Sequence, residues 1–364
     1  MDSSDPEIAF DTNGVCNHCT EFLGRRANHN YRGEQSDAQL AAVVQQMKEA
    51  GKGSEYDCVI GVSGGIDSSY AAYKLKQMGL RILAVHLDNG WNSEEAVQNI
   101  ENIARKLGID YESFVLDWEE FKDLQLSFLK ASVPEAETPT DIAIPAALHS
   151  LASKYKVKYI ISGGNFATEG ILPKAWHYNA KDMVYLNHIQ KTFGGRKLRS
   201  FPIFGFWQEM YYKLAKGMKI IYVLNYLPYS KDAAIDLLQK ELSWKYYGGK
   251  HYESRYTGFI QSYYLYKKFN IDYRRATLST QICTGEIGRE EALEILKKLP
   301  YDEQRVKQDK EYIAKKLDIT QQEFDTIIDT PAKWYWQYPN DQKRLKFIYD
   351  MYRKLFKKEK LGSF

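Results

Sequence analysis

The sequence predicts an α/β protein: a doubly wound parallel sheet followed by a largely helical region. Three observations predict it. Apolar runs around Asp57–Val62, Arg81–Asp88, Tyr111–Leu116 and Tyr159–Ser162 are separated by helical patterns, the alternation that parallel strands with right-handed crossovers require. The runs are of the buried type, as strands covered on both faces are. Polar clusters follow three of the four, Ser63–Ser69, Asp88-Asn89 and Gly163-Gly164-Asn165, at the carboxyl ends where such sheets bind ligands.

At 364 residues the chain exceeds one ordinary domain and can bury a sizeable core. Its 50 basic and 47 acidic residues leave a net charge of +3, which argues against a dedicated nucleic-acid binder. No run of about 18 apolar residues and no signal-peptide core occurs, so no membrane span is expected. The 4 cysteines are too few for a disulfide framework, and a reducing, cytoplasmic compartment is expected.

Residues 1–35 read as irregular, with turn signals at Asp5-Pro6 and Asp11-Thr12-Asn13-Gly14. Cys16-Asn17-His18-Cys19 follows and is half of a zinc knuckle, with Cys16 and Cys19 as candidate Zn²⁺ ligands. Further ligands would have to come from His18, Cys58 or Cys283. Two unligated thiols are the plain alternative; a redox pair lacks the preceding strand it needs. Ser36–Ala50 carries Leu40, Val43, Val44 and Met47 at helical spacing, and Gly51 stops it. After the first strand and its loop, a helix closes at Gly79. Ser93 is an expected N-cap, with Glu94 and Glu95 in the first turn of a helix that runs to Leu107 and stops at Gly108. Another helix follows Thr138-Pro139-Thr140-Asp141 and runs through Lys154.

From residue 166 the alternation stops. Phe166–Trp176, with Thr168, Glu169, Pro173 and Lys174, reads as a substrate-facing loop. Residues 205–227 are aromatic and apolar and belong mostly to the core. Between Tyr246 and Tyr256, Gly248-Gly249 frees the backbone while Lys250, His251 and Arg255 cluster cationic donors suited to phosphate or carboxylate. A solvated helix start is the bland alternative. Gln261–Phe269, 289–298, 303–318 and a basic amphipathic tail at 340–358 are expected helices. The organisation expected is a Cys-containing segment at 1–35, a nucleotide domain at 36–200 and a helical substrate and partner region at 201–364.

The stretch Ser63-Gly64-Gly65-Ile66-Asp67-Ser68-Ser69 sits between a strand and a helix. Adjacent glycines let backbone N–H groups approach an anion, and Ser68 and Ser69 add hydroxyls at a helix N-terminus. A Walker A loop would need Gly-Lys-Ser/Thr at its end, and no lysine follows Gly65. Asp67 stands there instead, and a carboxylate beside phosphates points to Mg²⁺. A glycine-rich turn that only packs is the alternative.

This loop resembles the PP-loop signature of the ATP pyrophosphatase (N-type) superfamily, whose fold is adenine nucleotide alpha hydrolase-like. The resemblance implies that ATP is bound by its β,γ-pyrophosphate, with the α-phosphorus left open to attack. It implies pyrophosphate contacts from Ser63, Gly64, Gly65, Ser68 and Ser69, Mg²⁺ held with help from Asp67, and adenosine near Asp88, Gly163 and Asn165. Asp5–Asp11 with Gly14–Cys19, Val85–Asn92, Gly248–Ser254, Arg274-Arg275-Ala276 and Ile282–Gly285 together resemble the N-acetyl sugar amidotransferase family (WbpG/PseA-like) over nearly the whole chain. Members of that family carry an earlier Cys-x-x-Cys before the Asp-Pro-Glu segment; this chain opens at Met1-Asp2-Ser3-Ser4.

The family implies an ATP-dependent conversion of an acetamido group on a UDP-type nucleotide sugar to an acetamidino group, in surface polysaccharide (O-antigen) or flagellar sugar synthesis. The path runs through an O-adenylyl intermediate and ammonia. Lys250, His251 and Arg255 would then stabilise pyrophosphate or sugar-nucleotide phosphates. Cys16 and Cys19 are a pair, Cys58 lies in a strand and Cys283 lacks a nucleophile elbow, so no glutaminase is expected within the chain. Ammonia would come from solution or from a partner complex resembling the two subunits of imidazole glycerol phosphate synthase. Rival expectations are a PP-loop tRNA thiolase, disfavoured by the near-neutral charge, and a non-catalytic nucleotide-binding subunit.

Overall fold

The computed structural model describes residues 1–29, 34–247 and 253–356. Five strands, β1 (Cys58–Gly61), β2 (Ile82–Asp88), β3 (Asp110–Val115), β4 (Tyr159–Ser162) and β5 (Lys219–Tyr222), form one sheet in the order β3-β2-β1-β4-β5. Every pairing is parallel, with Val59 opposite Leu83 on one side and Ile160 on the other. The chain winds outward one way from β1 to β3 and the other way from β4 to β5. The loops after β1 and β4 therefore diverge and open a crevice at the switch point.

The strand side chains explain why the sheet is buried on both faces. Cys58, Ile60, Ile82, Ala84, Tyr159 and Ile161 point into one core, shared with Leu40 and Met47 of the helix Glu34–Ala50 and with Leu238 of the helix Lys231–Leu242. Their alternates Val59, Leu83, Val85 and Ile160 point into a second core with Leu151 and Ala152 of the helix Thr138–Lys154. This is the period of two of a pleated strand, with apolar residues at both phases. The third core lies beyond the carboxyl ends of the strands and joins Trp91, Phe166, Tyr256 and Phe259 to the C-terminal helices.

The expected helix ends are present. Ser93 Oγ accepts from Ala96 N at 3.2 Å, and Gly108 closes the same helix in the left-handed conformation. Several elements differ from expectation. Phe166–Trp176, read as a substrate-facing loop, opens with the helix Phe166–Glu169 and buries Phe166, Ile171 and Trp176, and only Thr168 of it lines the cavity in front of the loop after β1. The helix Asn17–His29 stands where irregular chain was expected. It has little apolar periodicity of its own and is held from outside: Phe22 stacks on Phe166 with centroids 4.6 Å apart, and Arg26 donates to the Cys283 carbonyl at 2.8 Å. Strand β5 was not expected after residue 166. It is a four-residue edge strand whose Ile220 is exposed, too short to show a period, and pairing with β4 organises it. The sheet thus reaches past residue 200 into the stretch expected to be the helical region. Among the described residues no helix is long and apolar enough to cross a membrane.

Candidate nucleotide site

The loop between β1 and the helix Ile66–Gln77 is held by its own hydroxyls and by two distant side chains. Gly64 has φ +77°, and a Cβ there would lie 2.4 Å from the Ala96 carbonyl oxygen, so only glycine fits. The Gly64 carbonyl accepts from Trp244 Nε1 at 2.9 Å and Asn99 Nδ2 at 3.3 Å. Gly65 caps the helix, and its N–H donates to Ser63 Oγ at 3.2 Å. Ser68 Oγ donates to the Gly65 carbonyl at 3.3 Å and accepts from Ser63 N at 3.4 Å. Ser69 is fully buried and its hydroxyl donates to the Gly65 carbonyl at 2.5 Å. Of the two expected helix-end serines, Ser68 lines the cavity, whereas Ser69 ties the turn from behind.

The cavity in front of this loop measures about 110 Å³ and is lined by Ser63, Gly65, Asp67 and Ser68. Small-molecule sites start near about 300 Å³, so the enclosed part suits the phosphate end of a ligand. Thr168 and Tyr229 enter from the chain after β4 and β5, and Lys231 stands at the same wall. Tyr247, Glu253, Thr277, Gln281 and Glu286 line it from the C-terminal region. The Tyr229 hydroxyl donates to the Asp67 carboxylate, and burial together with that carboxylate raises the Tyr229 phenol well above its usual range. Asp67 is thus turned to the cavity as an oxygen donor. A carboxylate beside phosphate oxygens is a donor set that fits Mg²⁺.

Gly163, after β4, presses on the loop: a Cβ there would lie 2.9 Å from Ser68 N. The Asn165 side chain accepts from Thr168 N at 2.8 Å and caps the helix Phe166–Glu169, while its Nδ2 is buried without a partner among the described residues. Asp88 accepts from Gly90 N at 2.9 Å and shapes the turn after β2. His86 Nε2 receives the Asn92 amide at 2.9 Å, so its Nδ1–H donates to the Val62 carbonyl at 3.0 Å. Burial lowers the His86 pKa and keeps that ring neutral. This brace on the base of the loop was not anticipated: Val85–Asn92 counted only toward the family resemblance, with no role for His86 or Asn92.

One expected cation is corrected. Arg255 does not reach the cavity: its guanidinium holds the buried Asp309 carboxylate at 2.6 and 3.0 Å and lies 3.9 Å over the Tyr312 ring. A buried carboxylate needs such a partner, and Arg255 supplies it. Lys250 and His251 fall outside the described residues. Among the described residues the fold brings Lys231, which no motif singled out, to the cavity wall.

The cysteines converge in part. Cys16 and Cys19 Sγ lie 3.4 Å apart, and Cys283 joins them through a thiol hydrogen bond with Cys19; Cys58 stays in β1. Among the described residues no group of three or more His, Cys, Asp or Glu stands in metal-holding geometry. His18 is paired with Asp5 at 2.5 Å.

Residues 53–168 match the family model described as "Thiamine biosynthesis protein (ThiI)", and residues 253–355 match "LPS biosynthesis protein WbpG-like, C-terminal domain". A tRNA-specific 2-thiouridylase MnmA 2 of Fusobacterium nucleatum is 29% identical over 143 residues, 35% of this chain and 41% of that protein. A tRNA(Ile)-lysidine synthase of Chlamydia pneumoniae is 34% identical over 70 residues, 19% of this chain and 22% of that protein. The chain therefore spans less than half the length of either of these curated relatives. Among solved structures, the U34-tRNA thiolase NcsA from Methanococcus maripaludis with its [4Fe-4S] cluster aligns with a TM-score of 0.33 at 17% identity, covering 72% of this chain and 82% of that one. The two family-model matches, each over less than half of the chain, support a PP-loop module followed by a WbpG-like C-terminal region.

Proposed function

We propose that the protein is an ATP-dependent N-acetyl sugar amidotransferase that turns an acetamido group of a nucleotide-linked sugar into an acetamidino group. The observation that carries this reading is where the WbpG-like stretch begins. Its first residue, Glu253, faces the phosphate loop: a Cβ on Gly65 would lie 3.5 Å from Glu253 Oε1. The two matched stretches therefore both line one cavity, with Tyr229, Lys231 and Tyr247 contributed from between them.

The loop would hold the β,γ-pyrophosphate through its N–H groups, with the hydroxyls of Ser63 and Ser68 beside them. Mg²⁺, held with help from Asp67, would offset phosphate charge. Lys231 would add a positive charge at the cavity wall as pyrophosphate departs. The amide oxygen of the sugar would attack the exposed α-phosphorus and release pyrophosphate. Ammonia would then displace AMP from the adenylated carbon. We take the ammonia to come from a separate glutaminase or from solution.

Incubating the protein with a UDP-diacetamido sugar, ATP, Mg²⁺ and ammonium, and weighing the sugar by mass spectrometry, tests this. Replacement of one oxygen by NH, with AMP and pyrophosphate as co-products, is expected. An unchanged sugar together with ADP would overturn the reading. A tRNA thiolase is the second reading, supported by the similarity to a 2-thiouridylase and by the approach of Cys16, Cys19 and Cys283. Transfer of sulfur to tRNA in a parallel reaction would favour it.

A further inference from the structure

Two packed helices carry an apolar face that the described chain leaves in solvent. In the helix Gln342–Phe356, Phe347, Met351 and Leu355 recur every fourth residue and are 67%, 46% and 71% exposed, while Leu345 alone of its described side chains is buried. The helix Phe206–Met210 and the wide turn Tyr211–Ala215 that continues it expose Trp207, Tyr211 and Leu214. Such spacing puts each set on one side of its helix. Single exposed apolar residues are ordinary, but large ones repeated at helical spacing on neighbouring helices mark a surface that binds something.

The two stripes form one face. The Tyr349 hydroxyl donates to Glu209 at 2.7 Å and its ring meets Phe206 at 5.4 Å, while Lys213 Nζ lies 4.7 Å over the Tyr352 ring. Contacts that advance together along both segments mean that the helices run side by side in the same direction. Each stripe stands about a third of a turn from this line of contact, in opposite rotational senses, which puts both on one side of the pair. The charge around the face has one sign. Lys343 and Lys354 are exposed on the same side of their helix as Phe347, and Lys216 is exposed just after Leu214. The carboxylates nearby are already held, Glu209 by Lys181 at 2.9 Å, Asp341 by Arg344 at 3.6 Å and Asp350 by Arg353. Lys357, Lys358 and Lys360 follow in the sequence, against Glu359.

We propose that this face docks the protein on an anionic membrane surface, with Phe347, Met351, Leu355 and Trp207 entering the headgroup boundary and the lysines meeting lipid phosphates. A helix with an apolar stripe and a cationic flank lies in that plane, about 5–10 Å deep, and indole and phenol rings are at home there because one end is apolar and the other wet. Charge decides against the other occupants. A second copy related by a two-fold axis would bring two basic faces together. A partner protein would have to set a carboxylate opposite each ammonium. Lysines are mobile point charges that read no fixed geometry, and a fluid array of lipid phosphates meets them at any spacing. None of the apolar side chains on this face lines the nucleotide cavity, so the docking is independent of the reaction catalysed there.

The test mixes the full chain with vesicles of phosphatidylcholine, alone or with added phosphatidylglycerol, and separates bound from free protein by sedimentation. The unaltered protein should bind the phosphatidylglycerol vesicles at low salt, at least about tenfold more tightly than the neutral ones, and should leave them as salt rises. Phe347→Ser combined with Leu355→Ser should weaken binding at least about tenfold, and Lys354→Gln about fivefold. These substitutions change exposed side chains, so both variants should keep the melting temperature of the unaltered protein. No binding to the anionic vesicles, equal binding to both lipids, or undiminished binding by the double variant overturns the proposal. A dimer of the unaltered protein that the double variant dissolves, with no vesicle binding, assigns the face to a second copy and overturns it as well.

Discussion

The hydroxyl of Tyr229 donates to the carboxylate of Asp67, joining the chain after β5 to the phosphate loop across 162 residues of sequence. The phenol stays protonated because burial and the facing carboxylate both raise its pKa. Asp67 is therefore aimed before any nucleotide arrives. Replacing Tyr229 with Phe removes one hydrogen bond to a charged group, worth about 1.5–3 kcal/mol, and should slow ATP–pyrophosphate exchange by roughly tenfold or more. Asp67→Asn should abolish exchange across a Mg²⁺ titration. Near-normal exchange in Asp67→Asn would remove the carboxylate from Mg²⁺ binding.

Gly64 and Gly65 are adjacent but should fail differently. A methyl at Gly64 meets backbone at 2.4 Å and demands a left-handed conformation, so Gly64→Ala should lower the melting temperature as well as nucleotide binding. A methyl at Gly65 meets only side chains, Ser63 Oγ at 3.0 Å, the Tyr247 hydroxyl at 3.3 Å and Glu253 at 3.5 Å. Gly65→Ala should therefore fold with little loss and fill the phosphate cavity. Thermal melts and ATP titration on both variants separate the two effects; equal stability loss would mean that the loop is rigid at both positions.

The first four strands and the loop were legible because local signals and the fold agree there. Cys58–Gly61 is apolar at both phases, and the glycines, Asp67 and Ser68 follow in one short motif. What was not legible depends on long-range contacts. Tyr229, Lys231, Thr277 and Gln281 reach the cavity from over a hundred residues away, and each looks ordinary in its own stretch. Arg255 was misread for the same reason: its proximity in sequence to Lys250 and His251 suggested a shared ligand, while its partner is Asp309 on a distant helix. The helix Asn17–His29 escaped notice because Phe22 finds its apolar contact on Phe166 rather than on its own helix.

Glu135 makes stability depend on pH. It is 7% exposed, its carboxylate faces the Tyr185 hydroxyl at 3.3 Å, and burial pushes its pKa from 4.5 up to about 7. An unfolded chain releases this proton near 4.5, whereas the native protein keeps it until about 7. Between those values the native state binds more protons, so its stability falls as pH rises and levels off above 7. Glu135→Gln keeps a hydrogen-bond partner for Tyr185 and removes the titration. The variant should be more stable than the unaltered protein at pH 8, by at most about 3 kcal/mol, and the difference should shrink toward pH 5. Urea melts at the two pH values measure it; a variant less stable at pH 8 would mean that the carboxylate is stabilising when ionised.

The converging thiols should differ in reactivity. The hydrogen bond from Cys19, aided by the Arg26 charge, holds Cys283 below the usual thiol range, while that same bond and burial push Cys19 up. Burial raises Cys16 and Cys58 as well. Because the thiolate is the nucleophile, iodoacetamide should label Cys283 first and Cys58 last, read by peptide mass spectrometry. Cys19→Ala removes the donor and should slow Cys283 labelling several-fold at neutral pH, since its pKa then rises. The same experiment bears on zinc at Cys16 and Cys19: a bound ion would protect both until a chelator removes it. Labelling of Cys19 that is indifferent to chelator would count against a metal there, and would leave the three thiols as a hydrogen-bonded cluster between the N-terminal helix and the helix that lines the phosphate cavity.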